Sequence, residues 1–183
     1  MEGNEQLATI IPMLASVGRG ISIEQHAGPT PCAAFTVAGV LEHMASLASG
    51  FAPAFRGDPP PATPAVGTLE SRYQQALTDL LSAVMSPGAM ERVVETPFGP
   101  MPGAVFARLV AFDGLVHGWD LASSTGQPWN PPVELVLEVD AFARQAIGPE
   151  LRDGDTFAGE AEPPPAATPL QRLIAFSGRT VRV

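Results

Sequence analysis

Residues 112–122 read FDGLVHGWDLA, an apolar run interrupted by Asp113, by His117 four positions on, and by Asp120 three further. Burying a carboxylate costs several kcal/mol unless something pairs with it. The partner is either a structural hydrogen bond or a metal ion. Extended outward, the run belongs to a helix over about 103–125, with Gly126 placed to end it. On such a helix Asp113 and His117 (i, i+4) share a side, with Cβ atoms about 6 Å apart.

Helical periodicity runs through the rest of the chain. Leu7, Ile10, Ile11, Leu14 and Val17 mark a first amphipathic helix, which Pro12 either kinks or restarts. Thr36 is placed to cap a second, to about Phe51, whose apolar stripe is Val40, His43 and Leu47. The proline-rich stretch 52–66 reads as a surface linker. A third helix covers about 67–85, and RVVET (92–96) reads as a short strand before a Phe-Gly turn. Pro131 and Pro132 open a helix from Val133 to Ile147. In TPLQRLIAF, Thr168, Pro169 and Gln171 form a capping-box pattern for a short terminal helix ending near Gly178. These elements make one all-α domain over 1–183: a four-helix bundle with additional C-terminal helices in a 148–183 extension, and at most a short β element.

Composition narrows the partners. A formal charge of −9, with every cation an arginine, argues against nucleic acid and anionic membranes, which need a basic footprint. A single cysteine, Cys32, cannot form an internal disulfide. The N-terminus has no basic segment of the secretory type, and no uncharged apolar run reaches the roughly 18 residues of a spanning helix. A cytoplasmic protein is expected. Apolar helical faces left over after bundle formation leave room for a homodimer.

Three histidines exist: His26 in a loop, His43 mid-helix and His117. His43 lies on the apolar stripe, where facing helices of a bundle place inward metal ligands. The candidate metal set is therefore His43, Asp113 and His117. Three protein ligands leave a position open, as in catalytic sites. The competing reading is ordinary: a core histidine bonded to a carbonyl and an Asp–His hydrogen bond. Asp120 shares the face of His117 and would either orient it or ligate; a hydrogen bond to loop backbone is slightly favoured. Glu42 faces away from His43 and reads as exposed, Trp119 as core packing, and Cys32 as packing more than chemistry.

Four stretches resemble a known family: TPCAAFTVAGVLEHM (30–44), PFGPMPG (97–103), DGLVHGWDLASSTGQ (113–127) and TPLQRLIAFSGR (168–179). They are similar to the DinB-like metal-binding superfamily, in the branch of the mycothiol-dependent maleylpyruvate isomerase N-terminal domain. The resemblance implies an up-down-down-up bundle with a divalent metal near one end, its ligands at positions matching His43, Asp113 and His117. Phe35 stands where the family commonly has Trp, and where the full isomerase carries a separate C-terminal domain this sequence has about 60 residues beyond the metal helix, including one ordinary helix.

The resemblance further implies an isomerase or S-transferase in which a low-molecular-weight thiol, mycothiol in that family, ionises at the metal and attacks a small electrophile. Zinc suits the donor set first, with nickel, manganese or iron as alternatives. The other readings are a metal-dependent hydrolase with Asp120 as base, a non-haem iron oxygenase, and a non-catalytic metal- or ligand-binding protein.

Overall fold

Six α-helices and one short β-ribbon make up the named helices and strands: α1 (Gly3–Arg19), α2 (Val37–Arg56), α3 (Leu69–Val84), β1 (Val93–Val94), β2 (Met101–Pro102), α4 (Gly103–Thr125), α5 (Val133–Ala146) and α6 (Pro169–Phe176). The structure is a computed structural model that describes residues 1–60, 66–96, 99–152 and 158–181. The expected all-α class with a minor β element is what forms. No helix among the described residues is long and apolar enough to cross a membrane.

The first four helices make the bundle. α1 packs on α3 and α4, and α2 packs on the same two, so α1 lies diagonal to α2 and α3 to α4. Contacts along the helices fix their directions. Gly3 lies against Ala107, and Gly114 against Ile10 and Leu14, so α1 and α4 run parallel. Arg72 pairs with Glu42 and Arg56 with Asp79, so α2 and α3 are also parallel. Phe55 stacks on Phe106 while His43 sits beside Asp113, which sets α2 antiparallel to α4. The order is up-down-down-up.

The apolar stripe of α1 read from sequence turns inward, whereas in the α2 stripe Val40 is buried but His43 and Leu47 are half-buried, and Leu41, Met44, Ala45 and Ala48 complete the buried face. Leu7, Ile10, Ile11, Leu14 and Val17 of α1 are all buried, and Pro12 lies inside one continuous helix. Tyr73 of α3 is completely buried, its hydroxyl donating to Leu14 O at 3.2 Å, and burial pushes its phenol pKa up. Thr36, Thr68 and Thr168 cap α2, α3 and α6 by accepting from the backbone N–H three residues on. α4 ends at Gly126 in the left-handed conformation (φ 70°), where a residue without Cβ is favoured.

The linker reading of 52–66 needs correction at its start: 52–56 are the last turn of α2. Pro53 forgoes a backbone hydrogen bond there, but Ala52 and Phe55 are completely buried and Phe55 stacks on Phe106 at 5.7 Å. Arg56 adds a two-pronged pair with Asp79 (2.9 and 3.0 Å), and Arg92 Nη1 donates to Phe55 O. Burial of this size overrides an unfavourable local propensity. Residues 61–65 of that stretch lie outside the described residues.

The strand expected in RVVET is real but two residues long: Val93 pairs with Pro102 and Val94 with Met101, antiparallel. Phe98 of the expected Phe-Gly turn lies outside the described residues. α5 packs on α4, and α6 on both α5 and α4. Phe176 of α6 meets Phe112 of α4 edge-on at 6.3 Å and carries the guanidinium groups of Arg144 and Arg152 over its ring.

Candidate metal centre

Three side chains from two helices converge at the end of the bundle where α2 begins and α4 finishes. Thr36 fixes the start of α2, and the loop before it is tight: Thr30 Oγ1 lies 2.9 Å from Cys32 O and 2.8 Å from Phe35 O. α2 then brings His43 to face Asp113 and His117 of α4. Asp113 Oδ1 lies 3.9 Å from His43 Nε2 and 3.5 Å from His117 Nε2. One donor atom from each of the three lies within 4.8 Å of the others.

The donor set fits a divalent cation. Two ligands about 2.1 Å from a tetrahedral ion are about 3.4 Å apart, so the two Asp113 distances need only small closure. The sides of the trio differ in solvent access. His117 is 5% exposed, whereas the side chains of His43 and Asp113 are 28% and 36% exposed. The Phe35 ring stands 5.0 Å from the His43 ring and 6.0 Å from that of His117, centre to centre, and walls one flank with hydrocarbon.

Burial works against ionisation of Asp113, but the neighbouring His117 and His43 outweigh it, and Arg179 adds to them. Its carboxyl is held below the usual carboxylate range. A carboxylate kept charged between two imidazoles suits cation binding and is also what a plain hydrogen-bonded cluster would show.

Asp120 departs from the backbone-bond reading. It is completely buried, with Oδ2 3.0 Å from His117 Nδ1. A carboxylate only accepts, so Nδ1 is the donor to Asp120, while Nε2 lies 3.5 Å from Asp113 Oδ1; in the neutral ring with its proton on Nδ1, Nε2 is the atom left with a lone pair for a cation. Arg179, after α6, closes on the same carboxylate: Nη2 at 2.9 Å from Oδ2 and Nε at 3.4 Å from Oδ1. Sequence reasoning missed Arg179; its only signal was its place at the end of the family-like stretch 168–179.

The remaining candidates lie apart from the trio's donor atoms. Glu42 is exposed and grips Arg72, as expected of a residue facing away. Trp119 is half-buried against the core. Cys32 is a half-buried free thiol, and His26 follows a single 3-10 turn at Ile23–Gln25. A cavity of about 290 Å³ lies elsewhere, lined by Trp129, Pro131, Val136, Thr168 and Leu170 among others. None of the trio borders it, so the chemistry of the donors marks the site better than concavity does.

The bundle and its His/Asp/His cluster define the class: the chain belongs to the mycothiol maleylpyruvate isomerase N-terminal domain family, which matches residues 7–122, within the broader DinB-like superfamily. Among individual proteins it is similar to two described as uncharacterized, from Mycobacterium tuberculosis strains CDC 1551 / Oshkosh and ATCC 25618 / H37Rv. Each is 36% identical over 171 residues, covering 92% of this chain and 92% of the relative. No solved structure matches significantly.

Proposed function

We propose that this protein holds a divalent cation, zinc first, through His43 Nε2, Asp113 and His117 Nε2, and activates a low-molecular-weight thiol for transfer to, or isomerisation of, a small electrophile. The observation that carries the reading is the single carboxylate oxygen, Asp113 Oδ1, facing the Nε2 atoms of two histidines from different helices. The family description supports mycothiol, or a relative of it, as the thiol.

A bound divalent cation supplies Lewis acidity, stabilising a coordinated thiolate over the thiol. The chain supplies the rest. Asp113 and two neutral imidazoles offset only one unit of a dication's charge, so an anionic ligand remains favoured beside them. Asp120 orients His117, and the Phe35 ring keeps water from one side of the trio, where charge interactions are strongest when water is excluded. Three protein donors satisfy only part of a tetrahedral sphere, and the more exposed His43–Asp113 side is where a thiol would approach.

Tag-free protein analysed for metals tests the reading. Close to one equivalent of a divalent ion is expected, with most of it lost in His43→Ala and His117→Ala variants that melt like the parent. Stoichiometric metal retained by folded His43→Ala overturns the ligand set. Thiol titration of a cobalt-substituted sample should change its visible spectrum; an unchanged spectrum refutes thiol activation and leaves a metal-binding protein. Hydrolysis of test esters without thiol would instead make water the nucleophile.

A further inference from the structure

The family-like stretch at 168–179 ends on Ser177-Gly178-Arg179, and the thiol chemistry proposed above makes no use of it. α6 stops in a doubly bonded left-handed turn. Gly178 N donates to Ala175 O and Arg179 N to Ile174 O, with Gly178 at φ 90°. That turn is seated: an added Cβ on Gly178 would lie 2.6 Å from Ala158 Cβ and 2.9 Å from Gly159 O. Ala161 N also donates to Ala175 O, and Arg152 Nη1 donates to Ala158 O and Phe176 O. The backbone direction at Arg179 is thus fixed by a packed turn.

The side chain is equally constrained. Arg179 is 14% exposed, its Nη1 donates to Ser177 O, and its Nε and Nη2 span the two oxygens of Asp120. Asp120 could otherwise turn about its terminal torsion; a guanidinium fork holds both oxygens at once. The remaining capacity of Oδ2 is directed at His117 Nδ1.

We propose that Arg179 is a positioning residue of the metal centre: by clamping Asp120 it holds His117 as the Nδ1–H tautomer with its Nε2 lone pair toward Asp113. The segment beyond the family-matched 7–122 is then a working part of the site. The inference rests on the metal reading for its purpose but not for its geometry. Outer partners of a ligand histidine commonly contribute a factor of about 10–100 in metal affinity.

The test is long-range proton–nitrogen NMR of the histidine rings, above the ordinary histidine titration range, on metal-free protein and its variants. Zinc affinity is measured alongside by competition with a chelating dye. In the parent, His117 should carry its proton on Nδ1. Arg179→Gln should shift it to a mixture or to Nε2 and weaken zinc about 10–100-fold, and should also lower the thermal midpoint, because it leaves the buried Asp120 carboxylate without its counter-charge. Arg179→Lys keeps the charge but not the fork, should lie between the two, and serves if the glutamine variant fails to fold. An unchanged His117 tautomer with unchanged zinc affinity in either folded variant overturns the proposal. Should the parent bind no zinc, the metal reading fails alone, because the ring spectra of metal-free protein still decide whether Arg179 sets the tautomer.

Discussion

Gly18 sits where α1 crosses α3, and replacing it by alanine tests whether the pinned Tyr73 ring fixes the approach of these helices. A Cβ there would lie 2.5 Å from Tyr73 Cε1 and 2.9 Å from Cδ1. Ordinary contact between such atoms begins at about 3.5 Å, so the overlap is about 1 Å. The ring cannot easily retreat, because Tyr73 is completely buried and its hydroxyl is bonded to Leu14 O. Overpacking of a rigid core costs about 1–3 kcal/mol, and this case belongs at the upper end. Alanine in a helix returns about 0.5–1 kcal/mol. The net is about 2 kcal/mol of destabilisation, a fall of about 4–8 °C in thermal midpoint for a domain of this size. Gly50 in α2 is the control: it is exposed, and an added Cβ meets nothing within 4 Å. Gly50→Ala should raise stability by about 0.5–1 kcal/mol. The assay is urea unfolding followed by circular dichroism and by intrinsic fluorescence. A Gly18→Ala protein as stable as Gly50→Ala would refute the reasoning, since the ring would then be free to move.

Asp113 gives a pH prediction whose sign follows from its depressed carboxyl. In metal-free protein its contribution to stability is fully present above its unfolded value, about 4, and is lost as pH falls through the lower folded value. The margin over Asp113→Asn, measured by urea unfolding, should narrow as pH falls below about 4; a margin that is constant or widens over that acid range contradicts the assignment. Thr168→Ala removes the side-chain half of the α6 capping box and should cost about 1 kcal/mol. Hydrogen exchange should show that loss at the amides of α6, and unchanged protection there would mean the cap carries no load.

How much the sequence disclosed depends on the range of the interaction concerned. The limits of α4 agree with the reading from periodicity and Gly126, because a helix end is decided within one turn. The end of α2 was not legible. Pro53 argued locally for a break, while the stacking of Phe55 on Phe106, far away in the chain, decided the outcome. The convergence of His43 with Asp113 and His117 required only that two apolar stripes face each other. Asp120 was placed on the face of His117, where orienting that ring was one of its readings, but its second partner Arg179 lies 59 residues downstream and spacing carries no trace of such a pair. The family match leaves the same gap, since it stops at residue 122.

The diagonal placement of α1 and α2 bears on how the chain is made. Of the four bundle helices α1 leaves the ribosome first, yet its two neighbours in the bundle are encoded third and fourth. With translation at about 5–20 residues per second, roughly 5–20 s separate the completion of α1 from that of α4. During that wait its greasy side needs temporary cover, whereas α2 and α3, adjacent in sequence and in space, can zip together early. The first of the four bundle helices to be synthesised is therefore among the last to settle, and nascent chains paused before α4 emerges are those a holding chaperone should recognise.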